Sequence, residues 1–161
     1  MNKNILIAYF SYQGHTRNVA EQIQGTVGGT LFEIRPEQAY SEDYDTTEAQ
    51  GNKETREGIQ PKLAEMCKDF ASYDTIILGT PNWFNTMAPP VATFLAQNDF
   101  SGKTIIPFCT NGGGGLGHVV ADIKKLAKVA TVSDTLALYQ DGGADAKGKI
   151  ASWLKKAAII A

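Results

Sequence analysis

Three polar loops hold most of the side chains capable of chemistry in this sequence of 161 residues. The first is Ser11-Tyr12-Gln13-Gly14-His15-Thr16, set between an apolar run and a segment with helical periodicity. A helix N-terminus leaves N–H groups without intrahelical acceptors, and the macrodipole there favours an anion. The hydroxyls of Ser11 and Thr16 add donors, and Gly14 lets the backbone approach closely. No GxxxxGK[ST] motif is present, so no lysine is supplied to a β- or γ-phosphate. A GxGxxG is also missing from this loop. These residues suit one monophosphate held by neutral donors, with His15 offering a backbone N–H or a ring donor. An ordinary capped turn is the competing reading.

The second loop is Thr80-Pro81-Asn82-Trp83-Phe84-Asn85-Thr86-Met87. Trp83 and Phe84 can stack on a planar ring, and Asn82 and Asn85 can hydrogen-bond ring edges. Packing of both aromatics on the protein's own core fits the same residues. The third loop, Thr110-Asn111-Gly112-Gly113-Gly114-Gly115-Leu116-Gly117-His118, holds five of the sixteen glycines. Gly112, Gly114 and Gly117 fit GxGxxG literally, but a run of glycines matches many patterns by chance. A wall of backbone N–H groups facing an acceptor-rich ring suits this loop better. A flexible loop is the alternative.

The remaining reactive groups are sparse. Cys109 ends a strand just before a helix start, where a thiol can be activated. A phosphatase-type loop would place an arginine about six residues on, and Gly115 stands there, so an inert thiol is the expectation. His15 and His118 have no neighbours at metal-ligand spacing, and His118 reads as a surface residue at a helix start. No metal site and no catalytic acid–base pair is expected, which assigns the chemistry to a bound cofactor.

Elements that can hold these loops follow from periodicity. Ile5–Phe10, Thr75–Gly79 and Thr104–Cys109 are apolar on both faces, as in parallel strands covered by helices on both sides. Thr30–Arg35 alternates like an edge strand, and a fifth strand is expected within Ala130–Leu138. Pro107 is awkward in a central strand. Helical spacing joins Val19, Ala20, Ile23 and Val27; Ile59, Leu63, Met66, Cys67 and Phe70; Val91, Phe94 and Leu95 behind Pro89-Pro90; Val119, Val120, Ile123 and Leu126; and Ile150, Trp153, Leu154 and Ala157. The order βαβαβαβαβα with right-handed crossovers gives a doubly wound α/β sheet. Ligands of such sheets sit beyond the C-terminal strand ends, where all three loops fall.

Composition narrows the functions further. One domain over residues 1–161 is expected from the length. The formal net charge is -2 and no basic tract occurs, so nucleic acid is not an expected partner. No apolar run approaches the roughly 20 residues of a membrane span, so no membrane insertion is expected. Ile5–Phe10 reads as a strand and is too short for a secretory segment. Two cysteines without a CxxC motif fit a reduced, cytoplasmic protein. Residues 36–56 form a polar insertion, and from Glu33 to Glu57 eight acids face three bases, net -5 against +3 elsewhere. A solvated insertion is the simpler reading; an acidic rim or docking patch is the sharper one.

Taken together, the loops resemble those of the flavodoxin family. Ser11-x-Gln13-Gly14-His15-Thr16 is similar to its T/S-x-T-G-x-T phosphate loop, with Gln13 and His15 as variants. Gly79-Thr80-Pro81-Asn82-Trp83-Phe84 is similar to its ring-stacking loop, and Thr110-Asn111-Gly112-Gly113 to its third loop. The resemblance runs from Lys3 to Leu154. It implies a five-stranded parallel sheet in the order 2-1-3-4-5 with helices on both faces, and non-covalently bound FMN. Ser11, Gln13, Gly14, His15 and Thr16 would hold the phosphate. Pro81, Asn82, Trp83, Phe84 and Asn85 would line the ring, and Thr110, Asn111, Gly112 and Gly113 would meet its polar edge. Asn18 is a weaker candidate. The implied function is electron transfer with a redox partner protein or a small-molecule acceptor. The third loop lacks the aromatic many flavodoxins place there, and -2 is mild for an electron carrier. An FMN-dependent NAD(P)H:quinone or azo-type oxidoreductase is therefore the alternative.

Overall fold

The computed structural model describes residues 4–161; Lys3, where the resemblance begins, lies outside them. The elements are β1 (Ile5–Tyr9), α1 (His15–Val27), β2 (Thr30–Glu33), α2 (Tyr44–Glu57), β3 (Thr75–Trp83), β4 (Thr86–Met87), α3 (Pro89–Gln97), β5 (Thr104–Asn111), α4 (Val119–Leu126), β6 (Thr131–Val132), β7 (Leu136–Tyr139) and α5 (Ala146–Lys156). The parallel sheet runs β2-β1-β3-β5, and β6 and β7 both pair with β5. This is the expected doubly wound order, with the fifth position shared by two short strands. β4 adds antiparallel to the end of β3.

Strand alternation divides the core between the two faces of the sheet. Ile5, Ile7, Tyr9, Ile77, Ile106 and Phe108 pack with Val19 and Ile23 of α1 and Ile150, Trp153 and Leu154 of α5. Leu6, Ala8, Ile76, Leu78 and Ile105 pack with Val91, Phe94 and Leu95 of α3 and Val119 and Ile123 of α4. Burying a side chain of this size is worth about 2–3 kcal/mol, so the helices are held chiefly by these faces.

Pro107 fits because of the break in the fifth strand. The Ser133 N–H donates to the Ile105 carbonyl at 2.9 Å, so Ile105 turns its polar groups toward β6. Pro107, two residues on, turns the same way and faces the gap between β6 and β7, where no ladder bond needs its missing N–H.

Two expectations are corrected. The residues read as a helix from Ile59 to Phe70 are irregular. The Glu37 N–H donates to the Lys62 carbonyl at 2.7 Å and the Ala64 N–H to the Arg35 carbonyl at 2.8 Å, an antiparallel bridge to the chain beyond β2. Pro61 lies inside the supposed helix and breaks it. Leu63 and Phe70 are buried, but Ile59 and Met66 are exposed. The helix lies instead in the segment read as a polar insertion. Asp43 caps α2 by accepting from the Thr46 N–H at 2.9 Å, and Gly58 ends it in the left-handed conformation at φ 66°. The edge strand is also shorter than Thr30–Arg35: regular pairing stops at Glu33, although Ile34 still donates to Tyr9 at 2.6 Å.

Candidate functional site

At the C-terminal edge of the sheet the three loops enclose a cleft of about 300 Å³. Of the residues expected to contact a ligand, Ser11, Gln13, His15, Thr16, Pro81, Asn82, Trp83, Phe84, Thr110, Asn111 and Gly112 line it. Gly14, Asn85 and Gly113 belong to the same loops but do not line it.

The first loop turns sharply into α1. Gly14 occupies the N-cap at φ 103°, a value that favours glycine. Its N–H donates to the Ser11 Oγ at 3.1 Å, and the helical ladder begins with the Asn18 N–H donating to the Gly14 carbonyl at 3.0 Å. The intervening N–H groups of the first turn have no intrahelical acceptor. Thr16 is buried and its Oγ1 lies 2.8 Å from the Thr110 Oγ1. The guanidinium of Arg17, the residue after Thr16, is held by the Glu33 carboxylate, which raises its already high pKa, and among the described residues no arginine or lysine lines the cleft. This end of the cleft is therefore rich in neutral donors. Asn18 faces elsewhere: its amide donates to Asp141 at 2.8 Å.

The second loop is a two-residue hairpin. Asn82 pairs with Met87 and Trp83 with Thr86, leaving Phe84 (φ 54°) and Asn85 (φ 70°) at the turn. Both central residues at positive φ make the type I′ turn that matches strand twist. A bulky residue in that conformation is strained, and Phe84 is nevertheless kept there with 39% of its surface exposed. Trp83 is half-buried. Its ring meets Phe10, Tyr12 and Tyr40 edge-on at 5.4, 5.8 and 5.1 Å between centroids. Trp83 thus packs on the protein's own aromatics while also lining the cleft.

The glycine loop is tied to the second loop. The Asn82 amide donates to the Gly115 carbonyl at 2.9 Å, and the His118 N–H donates to the Asn85 carbonyl at 2.7 Å. Gly117 sits at φ 50°, and a Cβ there would fall 2.3 Å from the Asn85 Oδ1. No residue but glycine fits this approach. Asn111 fixes the loop's start, accepting from the Gly113 N–H at 2.9 Å and donating to the Leu138 carbonyl at 3.0 Å. Beyond the loop, exposed His118 sits at the N-cap position of α4 without a side-chain capping bond. Cys109 is buried, and burial alone pushes its thiol up to about 12. A thiol held protonated in this way is not activated for nucleophilic attack at neutral pH. Among the described residues no cluster of His, Cys, Asp or Glu can hold a metal ion.

Tyr12, Tyr44, Thr47, Glu48 and Gln140 also line the cleft. Gln140 arrives from the end of β7, its N–H donating to the Asn111 carbonyl at 2.7 Å. The α2 residues come from the segment read as an insertion. The only sequence signal for them is the helical spacing of Tyr44, Thr47, Glu48 and Gly51, with a capping aspartate before and a glycine after.

Among solved structures, this chain is similar to a candidate flavoprotein from Bacteroides eggerthii DSM 20697, with a TM-score of 0.84 and 29% identity over 96% of this chain and 97% of that one. A candidate flavoprotein from Bacteroides uniformis ATCC 8492 gives 0.85 and 29% over 97% and 100%. The fold is shared with a flavoprotein in complex with FMN from Lactobacillus acidophilus NCFM, at 0.75 and 24% over 94% and 98%. No curated protein matches the chain. Residues 4–157 match the family model for flavodoxin, and the chain belongs to the flavodoxin family.

Proposed function

We propose that the chain binds one FMN non-covalently in the three-loop cleft and transfers electrons to or from a redox partner protein or a small-molecule acceptor. The observation that carries this reading is the cleft's polarity. One end offers hydroxyls and free N–H groups at the start of α1, and the other offers Trp83 and Phe84. A phosphate on a planar ring has that same polarity. The complex of the Lactobacillus acidophilus relative with FMN supports the choice of cofactor.

When bound, FMN supplies reversible one- and two-electron chemistry. Ser11, Gln13, His15 and the first turn of α1 bind the phosphate without a cation. Thr16 and Thr110 brace each other across the cleft floor. Trp83 and Phe84 exclude water from the ring, and Asn111 and Gly112 present polar groups to its edge. Asn85, through its carbonyl, and Gly113, through its N–H, hold the second and third loops in shape. Among the described residues no helix is long and apolar enough to cross a membrane. Two free thiols are in keeping with a reducing compartment such as the cytoplasm.

A second reading, an FMN-dependent NAD(P)H:quinone or azo-type oxidoreductase, is favoured by the third loop. Cβ positions at Gly112, Gly113 and Gly115 meet open space, and the third loop itself carries no aromatic. A planar acceptor could stack there. Anaerobic titration of the FMN-loaded protein with NADPH separates the two. A carrier stays oxidised until dithionite is added, whereas an oxidoreductase bleaches with NADPH and turns over with a quinone.

A further inference from the structure

Helix α2 carries four positions toward the cleft: Tyr44, Thr47, Glu48 and Gly51, at the i, i+3, i+4, i+7 spacing of one helix face. Both ends of that stripe are anchored to recognisable parts of the site. Gly51 rests on the aromatic loop, where a Cβ would meet the Phe84 ring at 3.1 Å and the Trp83 ring at 3.2 Å. A glycine inside a helix costs about 1 kcal/mol relative to alanine, and this close approach accounts for it. At the other end, the Tyr12 hydroxyl donates to the Ser41 carbonyl at 2.6 Å, and the Thr47 Oγ1 donates to the same carbonyl at 2.7 Å. The helix therefore starts beside the Ser11–Gln13 loop and runs toward the aromatics. At 1.5 Å per residue, Tyr44 to Gly51 spans about 10 Å. Glu48 thus walls the cleft between its donor-rich end and its aromatic end, with Tyr44 one turn before it on the side of the Ser11–Gln13 loop.

The chemistry of these two residues selects what can lie against them. The Glu48 carboxylate accepts hydrogen bonds and repels phosphate. The Tyr44 phenol both donates and accepts, and Thr47 is already committed to Ser41. A carboxylate that accepts, beside a phenol that both donates and accepts, matches a run of hydroxyl groups and does not match a phosphate. We infer that Glu48 and Tyr44 recognise the hydroxylated chain joining ring to phosphate, which makes α2 the element that distinguishes a ribityl flavin from the ring alone. This rests on the FMN reading above.

The test is a calorimetric titration of the full chain, and of its Glu48→Ala and Tyr44→Phe variants, with FMN, riboflavin and lumiflavin, the last being the ring without the chain. Both positions are exposed, and circular dichroism verifies that the variants fold. Riboflavin affinity should fall about tenfold in Glu48→Ala and about threefold in Tyr44→Phe, the loss of one hydrogen bond in each case. Lumiflavin affinity should stay within about twofold, and FMN should lose less than riboflavin in Glu48→Ala because removing the carboxylate also removes a repulsion with phosphate. Unchanged riboflavin affinity in both variants overturns the inference. Equal losses for lumiflavin overturn it as well, by putting α2 against the ring. If the unaltered chain binds none of the three flavins, the FMN reading fails and this inference fails with it.

Discussion

The hydroxyl of Thr16, in the first turn of α1, lies 2.8 Å from the hydroxyl of Thr110, near the end of β5, with both side chains buried. The contact joins two loops separated by 94 positions in the chain. It fixes the spacing between a helix start and a strand end that both line the cleft.

Removing one partner should be costly. Thr110→Val leaves the buried Thr16 hydroxyl without its partner and should destabilise the fold by about 1–2 kcal/mol. Thr16→Val should do the same. The double variant should lose less than the sum, with a coupling of about 1 kcal/mol, because no lone hydroxyl then remains. Urea unfolding of the four proteins measures this; strict additivity contradicts the pairing.

Gly117→Ala should disturb the second loop as well as the third. The added Cβ would stand 2.3 Å from the Asn85 Oδ1 and 2.6 Å from its carbonyl oxygen, in a left-handed conformation that costs a non-glycine residue about 1–3 kcal/mol. Its relief requires the Phe84–Asn85 turn to move. Thermal unfolding should register the loss, and FMN affinity should fall. A variant with normal stability and normal affinity would show that the two loops are independent.

Thiol chemistry should separate the two cysteines. Cys67 is half-buried, whereas burial holds the Cys109 thiol near 12. Ellman's reagent at pH 8 should modify one thiol in the native protein and two in denaturant. For Cys109 the raised value favours the folded state below the ordinary thiol value of 9.0 and loses that contribution as pH climbs toward 12. Two equally fast native thiols would contradict the buried position.

Acid should loosen the cleft's borders. The Thr46 hydroxyl and N–H hold the Asp43 carboxyl below its ordinary 3.8. The Gly143 N–H, the Asn18 amide and nearby His15 do the same for Asp141. Both are depressed acids, so their stabilisation is present above the ordinary value and is lost as pH falls through the folded one. Amide exchange in the first turn of α2 should accelerate below about pH 4, and Asp43→Ala should show the fast exchange already at pH 7. Equal exchange in both proteins at pH 7 would remove Asp43 as the cap.

The sequence made the central strands and α1, α3, α4 and α5 legible because each buries a periodic apolar face. It hid α2, whose inward positions are Thr47, Gly51 and Glu54. That face meets a cleft and an aromatic loop, with Tyr40 donating to Glu54 at 2.6 Å, so no apolar stripe was needed. The opposite error arose at Ile59–Phe70, where helical spacing occurs in a chain that Pro61 and the pairing with Arg35 and Glu37 keep out of a helix. The three loops were readable from residue type and position. Gln140 was not, because it reaches the cleft only through the pairing of β7 with the end of β5.

One absorbance titration of the purified chain with FMN tests the proposed cofactor site most directly. The predicted result is stoichiometric binding of one FMN with a shifted, structured visible spectrum and quenched flavin fluorescence, as expected of a ring placed against Trp83. A protein that stays colourless after FMN is added and washed away, with flavin fluorescence unchanged during the titration, would contradict it.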